Sequence, residues 1–438
     1  MAEEAKRISA VLGAGVNLDF QLANKPSTSY ITEKVVNESY PVINYPDINN
    51  KENSSLVKDI YNTICKRYTS GEIDPNTSYG IIHFEIIFHV LEELYSYDKY
   101  WRVNRYHSQK DIPPFAYLTH CDLKYNSNHI WQVMEQFIKV IMSIVNEYDC
   151  EYTKNKDGIE TWYKRFWERT PLKMDVFTFN YDTTIEQSLP EYEDGFEAID
   201  NYQFKQMNPF ALLNSPKHTI NHLHGSIMYG EDDFSLEEKN KRNIYDYNTH
   251  DWYQWKNFAL AQQHRFRSSD QQNQAGETIF KSPIITGLHK TDKIVNLPFD
   301  IYRYNFNYRL MTNNAILIAG YSFGDLYVNY ELERMQLYHG DNWRVVLIDC
   351  WGKTSYKSRK AEILALDNYL ADLPYKNHQL FEFLCKVMEE GDINHYKYSR
   401  RWKHSQPNVS DNGRLMLFIG GTKKAFRHKK EIYSFLQS

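Results

Sequence analysis

The chain has 438 residues, of which 51 are Lys or Arg and 56 are Asp or Glu, and its formal net charge is −5. With 42% hydrophobic residues, this composition predicts a globular protein of two or three domain-sized units and excludes a disordered tail or a fibre. The near-neutral charge gives no general attraction to nucleic acid, so we expect no direct nucleic-acid partner. No apolar run reaches the roughly 18 residues of a membrane-spanning helix, and the start of the chain lacks a signal-peptide pattern. We therefore expect no membrane association and a cytoplasmic location.

Short apolar runs, each stopped by glycine or polar residues, predict buried strands. The first is Arg7–Leu12, and the others occupy residues 174–179, 219–224, 282–286, 315–319 and 344–348. Helical stretches separate these runs, which predicts an α/β fold: a Rossmann-like parallel sheet with helices on both faces and a large helical insertion. In such sheets, ligands bind outside the carboxyl ends of the strands. We therefore expect the polar clusters that follow the runs to share one edge, called the carboxyl edge below.

Two different segments follow the first strand. Residues 24–54 are rich in Asn, Ser, Pro and Tyr and have no sustained period, which predicts an irregular loop. Apolar residues then recur at helical spacing, as at Leu56, Ile60 and Ile64, so we expect residues 55–170 to be mostly helical. These apolar stripes either pack on one another as a helical subdomain or offer a surface to a partner or a second copy.

The predicted organisation has three parts. They are a sheet domain of residues 1–23 and 171–350, a helical insertion subdomain of residues 24–170, and a C-terminal α/β extension of residues 351–438. In the extension we expect helices near residues 357–370 and 378–390, then an apolar run at 415–419 and a basic stretch at 423–430.

The glycines of Gly13-Ala14-Gly15 follow the first strand, where glycine lets a backbone approach a pyrophosphate at the start of a helix. The third glycine of the usual dinucleotide fingerprint is missing, because Leu18 stands there. A Gly-x-Gly pair alone is a weak signal. The residues leave open both a nucleotide-binding turn and an ordinary tight turn.

Asn-Tyr-Asp at residues 180–182 directly follows the second run. Residues two apart face the same way in an extended chain, so Asn180 and Asp182 project together if that geometry continues. A side-chain amide has donors and an acceptor, and it can position a water molecule or a sugar hydroxyl. The alternative is a turn in which Asp182 caps a helix that begins near Thr183.

Two histidines, His222 and His224, stand at the end of the third run, and His224 immediately precedes Gly225. A histidine titrates near neutrality and can accept a proton from a hydroxyl or a water molecule. His222 is more simply a core or edge histidine. No Cys, Asp or Glu at suitable spacing completes a metal site with this pair, and the five cysteines form no Cys-x-x-Cys pair, so we expect no metal.

The sequence Gly-Tyr-Ser-Phe-Gly-Asp at residues 320–325 is similar to the first turn, because a glycine again directly follows an apolar run. It follows the run at 315–319 and precedes a predicted helix. Glycine and a hydroxyl at such a junction suit close approach to a ribose or a phosphate. Asp325 either binds a hydroxyl or caps the helix that follows.

Taken together and in this order, Gly-Ala-Gly, Asn-Tyr-Asp, His-Gly and Gly-Tyr-Ser-x-x-Asp resemble the sirtuin-like domains of bacterial anti-phage defence systems. The resemblance covers roughly residues 6–23 and 171–350. It implies a Rossmann-like fold and an NAD⁺ hydrolase that depletes the cell's NAD⁺ in abortive infection. Protein-deacylating sirtuins carry a four-cysteine zinc module, which this chain lacks. This departure favours cleavage of NAD⁺ to nicotinamide and ADP-ribose over protein deacylation.

The resemblance also implies roles for individual residues. Asn180 and His224 match the catalytic asparagine and histidine, and Asp182 matches the acidic partner. Asn17 departs from the pattern, because sirtuins usually have a serine after this turn. The positions that the resemblance assigns to NAD binding are Gly13, Ala14, Gly15, Asn17, Gly225, Gly320, Ser322 and Asp325.

The chemistry of the implied reaction agrees with these residue types. Cleavage of the nicotinamide–ribose bond passes through an oxocarbenium-like transition state, and nicotinamide leaves as a neutral group without help from a general acid. The protein must hold the ribose and deliver water. We therefore assign Asn180 to positioning the ribose hydroxyls and water, His224 to general-base catalysis and Asp182 to orienting the loop.

The resemblance further implies a homo-oligomer, a separately encoded sensor, or both. Such a sensor is a translocase ATPase, an Argonaute-like protein or a phage trigger. It is expected on another polypeptide, since this chain has no Walker motif and no recognisable Argonaute region. Three alternatives stay open. One is a non-catalytic sensor or interaction module that binds NAD or ADP-ribose, and another is an NAD-dependent oxidoreductase. The third is a bacterial abortive-infection family with similar Asn-Tyr and His-Gly motifs.

Overall fold

The computed structural model describes residues 5–24, 27–43, 51–68, 82–96, 125–155, 158, 162–235, 238, 251–264, 279–287, 290–351, 368, 372–388 and 406–438. The strands are β1 (Arg7–Leu12), β2 (Pro41–Ile43), β3 (Lys51–Asn53), β4 (Lys173–Thr178), β5 (Tyr192–Glu193), β6 (Phe196–Ala198), β7 (Phe204–Met207), β8 (His218–His222), β9 (Tyr229–Gly230), β10 (Tyr253–Trp255), β11 (Ala315–Ala319), β12 (Arg344–Ile348), β13 (Asn408–Val409) and β14 (Leu415–Phe418). The α-helices are α1 (Thr28–Asn37), α2 (Leu56–Tyr68), α3 (Phe84–Ser96), α4 (Ser127–Lys154), α5 (Tyr163–Glu168), α6 (Pro209–Leu213), α7 (Phe258–Gln263), α8 (Lys290–Lys293), α9 (Phe299–Thr312), α10 (Leu326–His339), α11 (His378–Met388), α12 (Thr422–Ala425) and α13 (Lys429–Gln437). Short 3₁₀ helices span Ala14–Phe20, Gly340–Asn342 and Phe426–His428.

A large, mostly parallel sheet organises the described residues. Its strand order is β13-β14-β12-β11-β1-β4-β8-β5, and every neighbouring pair is parallel except β13 with β14. Sequence-distant strands lie side by side here, since β1 pairs with both β4 and β11. The predicted α/β class with a Rossmann-like parallel sheet is confirmed.

Helices cover both faces of this sheet. Along β1, Ala10 and Leu12 face a layer that includes α5 and α13, whereas Val11 faces a layer that includes α9, α10 and α11. Strands buried on both faces are continuous apolar runs rather than alternating ones, which is why their sequences stood out. Among the described helices, none combines the length and apolar character needed to cross a membrane.

In the described part of residues 55–170, the apolar stripes pack on one another. Ile60, Phe88, Phe137 and Ile141 are fully buried in one cluster, which Ile284 from the sheet region also joins. For the described residues, this packing is what the helical-subdomain alternative expects, although Ile86, Trp131 and Val140 are only partly buried. The three-part division of the chain into domains stays a prediction.

Two predicted strands differ from the structure. β8 ends at His222 instead of continuing to residue 224. Residues 282–286 are described, and they form an isolated bridge between Gly225 and Ile284 rather than a strand. Pro283 has no N–H to donate to a neighbouring strand, so this apolar run cannot complete a regular ladder.

The described part of residues 24–54 is more regular than the composition of this segment predicts. Helix α1 begins after Ser27, whose side-chain oxygen accepts the Tyr30 N–H at 3.2 Å, and β2 and β3 form a hairpin. A single N-cap is enough to start a helix, but a compositional argument does not detect it. In the C-terminal extension α11 confirms the helix predicted near residue 378, while the helix predicted at 357–370 lies outside the described residues except for Asn368, which is helical.

The turns after β1 and β11 touch through their backbones. Gly13 N–H donates to Ala319 O at 3.0 Å, and Gly15 N–H donates to Gly320 O at 2.9 Å. A Cβ added at Gly13 would lie 2.4 Å from Gly320 O, and one added at Gly320 would lie 2.2 Å from Val16 N. Glycine is therefore required on both sides of this contact, whatever ligand the turns hold.

We predict that Gly320→Ala destabilises the fold far more than Gly413→Ala, measured by urea unfolding. Both glycines have positive φ, +60° and +69°, but an added Cβ at Gly413 meets nothing within 4 Å. Gly413→Ala should cost about 1 kcal/mol for the backbone conformation alone. Gly320→Ala adds the clash with Val16 and should cost roughly 1–3 kcal/mol more. Equal losses in the two variants would show that the two turns do not depend on this contact.

Candidate active site

The turn after β1 runs into the 3₁₀ helix Ala14–Phe20 rather than into an α-helix. The N–H groups of Gly13, Gly15 and Val16 all donate within the protein, so these amides are not open to a pyrophosphate. Ala14 is exposed and Gly15 is half-buried. The turn therefore presents less free backbone to a phosphate than a dinucleotide-binding turn is expected to present.

Asn180 lies beside this turn, two residues after the end of β4. Its Nδ2 is 3.4 Å from Gly13 O, whereas its Oδ1 is buried and has no hydrogen-bond partner. A buried acceptor without a donor is costly. Asn180 thus holds an acceptor that a ligand hydroxyl or a water molecule would satisfy.

Asp182 does not project toward the carboxyl edge with Asn180. It is 3% exposed, and its Oδ2 accepts the Asn17 Nδ2–H at 2.6 Å. Its Oδ1 accepts from the backbone and the hydroxyl of Thr184, at 3.1 and 2.5 Å. Burial raises the pKa of Asp182, although the hydrogen bonds from Thr184 and Asn17 oppose this shift. Residues 181–190 form turns instead of the alternative helix, so Asp182 ties the loop to the turn after β1.

His224 lies just beyond the end of β8, next to Asp325. Its Nε2 is 3.1 Å from Asp325 Oδ2, and its ring meets the ring of Phe179 edge-on, with centroids 4.8 Å apart. A carboxylate only accepts hydrogen bonds, so Nε2 carries the hydrogen and Nδ1 of the neutral ring carries the lone pair. Asp325 also accepts the Val328 N–H at 3.4 Å and caps α10.

The electrostatics of this pair keep His224 neutral and Asp325 ionised. Burial, assisted by the charge of Lys290, lowers the pKa of His224 in spite of the Asp325 carboxylate. Burial opposes ionisation of Asp325, but its hydrogen bond to His224 and the nearby positive charge outweigh burial and lower its pKa to about 2. A neutral imidazole held by a carboxylate is suited to accept a proton.

His222 has a different environment, since both of its ring nitrogens are engaged. Nε2 lies 2.5 Å from Glu186 Oε1, and Nδ1 lies 3.1 Å from the Asn180 carbonyl oxygen. Burial opposes a charge on His222, but the Glu186 carboxylate outweighs burial and raises its pKa. Since both ring nitrogens face acceptors, both carry hydrogens, and His222 is a buried imidazolium without a lone pair to offer a substrate.

The remaining predicted residues are spread along the carboxyl edge. Ser322 is exposed, and its carbonyl accepts a hydrogen bond from Asn377 at 2.9 Å. Gly225 has φ +91°, and a Cβ there would lie 2.1 Å from Pro283 O, so close packing against the 282–286 segment already requires this glycine. The structure brings Asn17, Asn180 and Asp182 together around the turn after β1, and it pairs His224 with Asp325.

A cavity beside His224 and Asp325 contains functional candidates that sequence reasoning missed. Lys290 and Arg303 line it together with the ring of Tyr327, over which Arg303 stacks at 4.3 Å. Neither cation belongs to a motif, and they come from α8 and α9, so no spacing in the sequence pointed to them. Apart from Thr291, the rest of the described lining is apolar: Phe179, Leu223, Ile285, Ile294, Phe299 and Val328.

Among the described residues, no three His, Cys, Asp or Glu side chains converge as a metal-binding group. The His222 nitrogens are already engaged by Glu186 and the Asn180 carbonyl.

The two histidines should titrate on opposite sides of the ordinary histidine value of 6.5. We expect the pKa of His224 below this value and that of His222 above it, because Glu186 stabilises the charge on His222. NMR titration of ring-labelled histidine, assigned with His222→Asn and His224→Asn, measures both values. A reversed order would contradict the distinction between the two rings.

Comparison with known proteins adds one finding. Residues 175–366 match the family described as SIR2-like domain, and this region contains Asn180, His224 and Asp325 but not the turn after β1. No curated protein matches the chain. SIR2-like domains are broadly NAD-dependent enzymes, so the match supports a sirtuin-like family for this region and fits NAD binding and NAD-related chemistry.

Proposed function

We propose that the protein is an NAD⁺ hydrolase that cleaves the nicotinamide–ribose bond to give nicotinamide and ADP-ribose. We propose further that it is an effector of anti-phage defence, depleting NAD⁺ in abortive infection. The SIR2-like match supports NAD as the ligand. The hydrolytic step and the defence role rest on the motifs and on the chemistry of the residues at the carboxyl edge.

One observation carries the enzymatic part of the proposal. Strands β4 and β8 are paired, and a candidate group follows the carboxyl end of each. After β4 comes Asn180, whose Oδ1 is an acceptor without a partner. After β8 comes His224, a neutral histidine that the Asp325 carboxylate orients. Acceptor and base are the two groups that hydrolysis of a ribosyl bond needs when the leaving group departs as a neutral molecule.

Each residue then has a chemical task. Asn180 Oδ1 accepts a hydrogen bond from a ribose hydroxyl or from the attacking water. His224 Nδ1 removes a proton from that water or hydroxyl, and Asp325 stabilises the imidazolium that forms. Asp182 acts through Asn17 and Thr184, holding the loop in place, and is a positioning residue.

We expect purified protein, alone or with the product of a neighbouring gene, to release nicotinamide and ADP-ribose from NAD⁺, measured by chromatography. Asn180→Ala should lower kcat on the order of 10²-fold, because orientation of the reacting groups is lost. Asn314→Ala is the matched control. Asn314 donates to Asn342 O at 3.1 Å at the opposite edge of the sheet, and its loss should leave kcat unchanged.

The outcome of this assay separates the alternatives. Binding of NAD⁺ without any release of nicotinamide by the complete, activated system would exclude hydrolysis and favour a sensor module. A change in the near-ultraviolet absorbance of the cofactor, with nicotinamide still attached, would favour an oxidoreductase.

Replacing His224, the proposed base, should lower kcat at least as much as replacing Asn180. We expect His224→Ala to lower kcat on the order of 10²- to 10⁴-fold, the usual contribution of a positioned general base. In the wild type, kcat/KM should be constant near neutral pH and fall only below pH 6.5, because the pKa of His224 is lowered and the neutral ring is the base. An acidic limb above pH 7 would assign the base to another group.

Control by a second copy or by a separately encoded sensor is also part of the proposal. A hydrolase that was always active would deplete its own host's NAD⁺. Exposed apolar side chains on α9 and α10 support association with a second copy, since Tyr304, Tyr330 and Leu337 are 58%, 61% and 81% exposed. The helical region reaches the cavity as well, because Glu85 pairs with Lys290 at 3.0 Å.

A further inference from the structure

The last backbone hydrogen bonds between β4 and β8 lie just before the candidate catalytic residues. Thr178 pairs with His222 in the ladder, and the Leu223 N–H donates to Thr178 O at 2.9 Å. Beyond this point, the Tyr181 carbonyl accepts from the Ile227 N–H at 2.9 Å. The Asn180 carbonyl, between them, accepts instead from a side chain, the ring of His222 at 3.1 Å.

The His222 ring is itself held rigidly. Its other nitrogen meets Glu186 at 2.5 Å, and the two side chains are only 2% and 13% exposed. A carbonyl and a carboxylate both accept hydrogen bonds, so both ring nitrogens carry hydrogens. Charge-assisted bonds of this length are the stronger kind. The acidic groups that raise the ring's pKa are Glu186 and, more weakly, Asp182, and the ring of Tyr229 packs edge-on at 6.1 Å.

Glu186 is carried by the loop that Asp182 anchors. Within this loop Gln187 N–H donates to Thr183 O at 3.1 Å. Thr183 in turn donates through its backbone and its hydroxyl to Asp149 of α4, at 3.0 and 2.7 Å. The loop that carries this carboxylate is therefore anchored to α4 as well as to the turn after β1.

We propose that Glu186 and His222 are positioning residues: the Glu186-bound imidazolium of His222 grips the Asn180 carbonyl and sets the spacing between Asn180 and His224. His222 stands two residues before His224, so one strand end carries both the base and the group that holds Asn180. This inference rests on the proposed hydrolysis of NAD⁺, because it concerns the geometry of that site. Misplacement of a reacting group by about 1 Å is enough to lower a rate about 10²-fold.

The test compares kcat, KM for NAD⁺ and Tm for His222→Leu, His222→Asn and Glu186→Gln. Leu fills the site of the ring without a donor, so we expect His222→Leu to lower kcat about 10- to 100-fold with little change in KM. The amide nitrogen of Asn can stand where Nδ1 stood, so His222→Asn should recover most of this loss. Glu186→Gln keeps the shape of the side chain but removes its charge, and its kcat should lie between those of His222→Leu and His222→Asn.

Thr219→Val is the control for a merely structural role. Thr219 lies on the same strand, is fully buried and donates to Asp175 at 2.9 Å, far from Asn180 in the ladder. Its loss should lower Tm and leave kcat unchanged. The positioning role is overturned if His222→Leu has the kcat of the wild type. It is also overturned if His222→Leu and Thr219→Val lose kcat in the same proportion to their loss of Tm.

An NMR measurement tests the inference even if the wild type cleaves no NAD⁺, an outcome that would overturn the proposed function alone. In histidine-labelled protein at pH 7.5, the His222 ring should carry hydrogens on both nitrogens. Glu186→Gln should return it to a neutral ring. A neutral His222 in the wild type would overturn the proposed positioning role of Glu186 and His222, whether or not the protein cleaves NAD⁺.

Discussion

The backbones of the turns after β1 and β11 lie in direct contact, and the carboxyl edge is built outward from that contact. Gly13 and Gly320 are so close that neither tolerates a Cβ, and amides of the first turn are used to hold the second. The glycines that resemble a nucleotide-binding fingerprint are thus required first by the fold. What they leave for a ligand is the exposed side of the turn at Ala14 and, beside the turn, the Asn180 Oδ1 without a partner.

Where the backbone ladder between parallel strands ends, side chains continue the connection. Asp182 joins the loop after β4 to Asn17, His222 joins Asn180 to β8, and Asp325 joins His224 to the start of α10. Their surroundings also set opposite protonation states for the two histidines. Glu186 keeps His222 charged, whereas burial and Lys290 keep His224 neutral. Two residues of the same type, two positions apart, therefore differ in chemistry because of their neighbours.

The helical region is more than a cover for the sheet. Asp149 of α4 accepts from Thr183, and burial raises its pKa to about 7. Glu92 of α3 pairs with the buried Lys293 at 2.6 Å. These contacts connect the helical region to the loop behind Asn180 and to the cavity wall beside His224. A partner that shifts these helices would act on both groups, which is a physical route for the control that the proposed activity requires.

The sequence by itself determined the α/β class, most strands of the large sheet and the identity of the motif residues. Strands buried on both faces, such as Arg7–Leu12 and Ala315–Ala319, are unbroken apolar runs, and this signal is local. The tertiary structure alone decided the rest. Pro283 keeps an apolar run out of the sheet, since its nitrogen cannot donate. Lys290 and Arg303 reach the cavity from helices without a motif. Glu186 meets His222 across 36 positions, and no pattern along a chain specifies which distant carboxylate will lie beside a buried ring, because that pairing depends on how the elements pack.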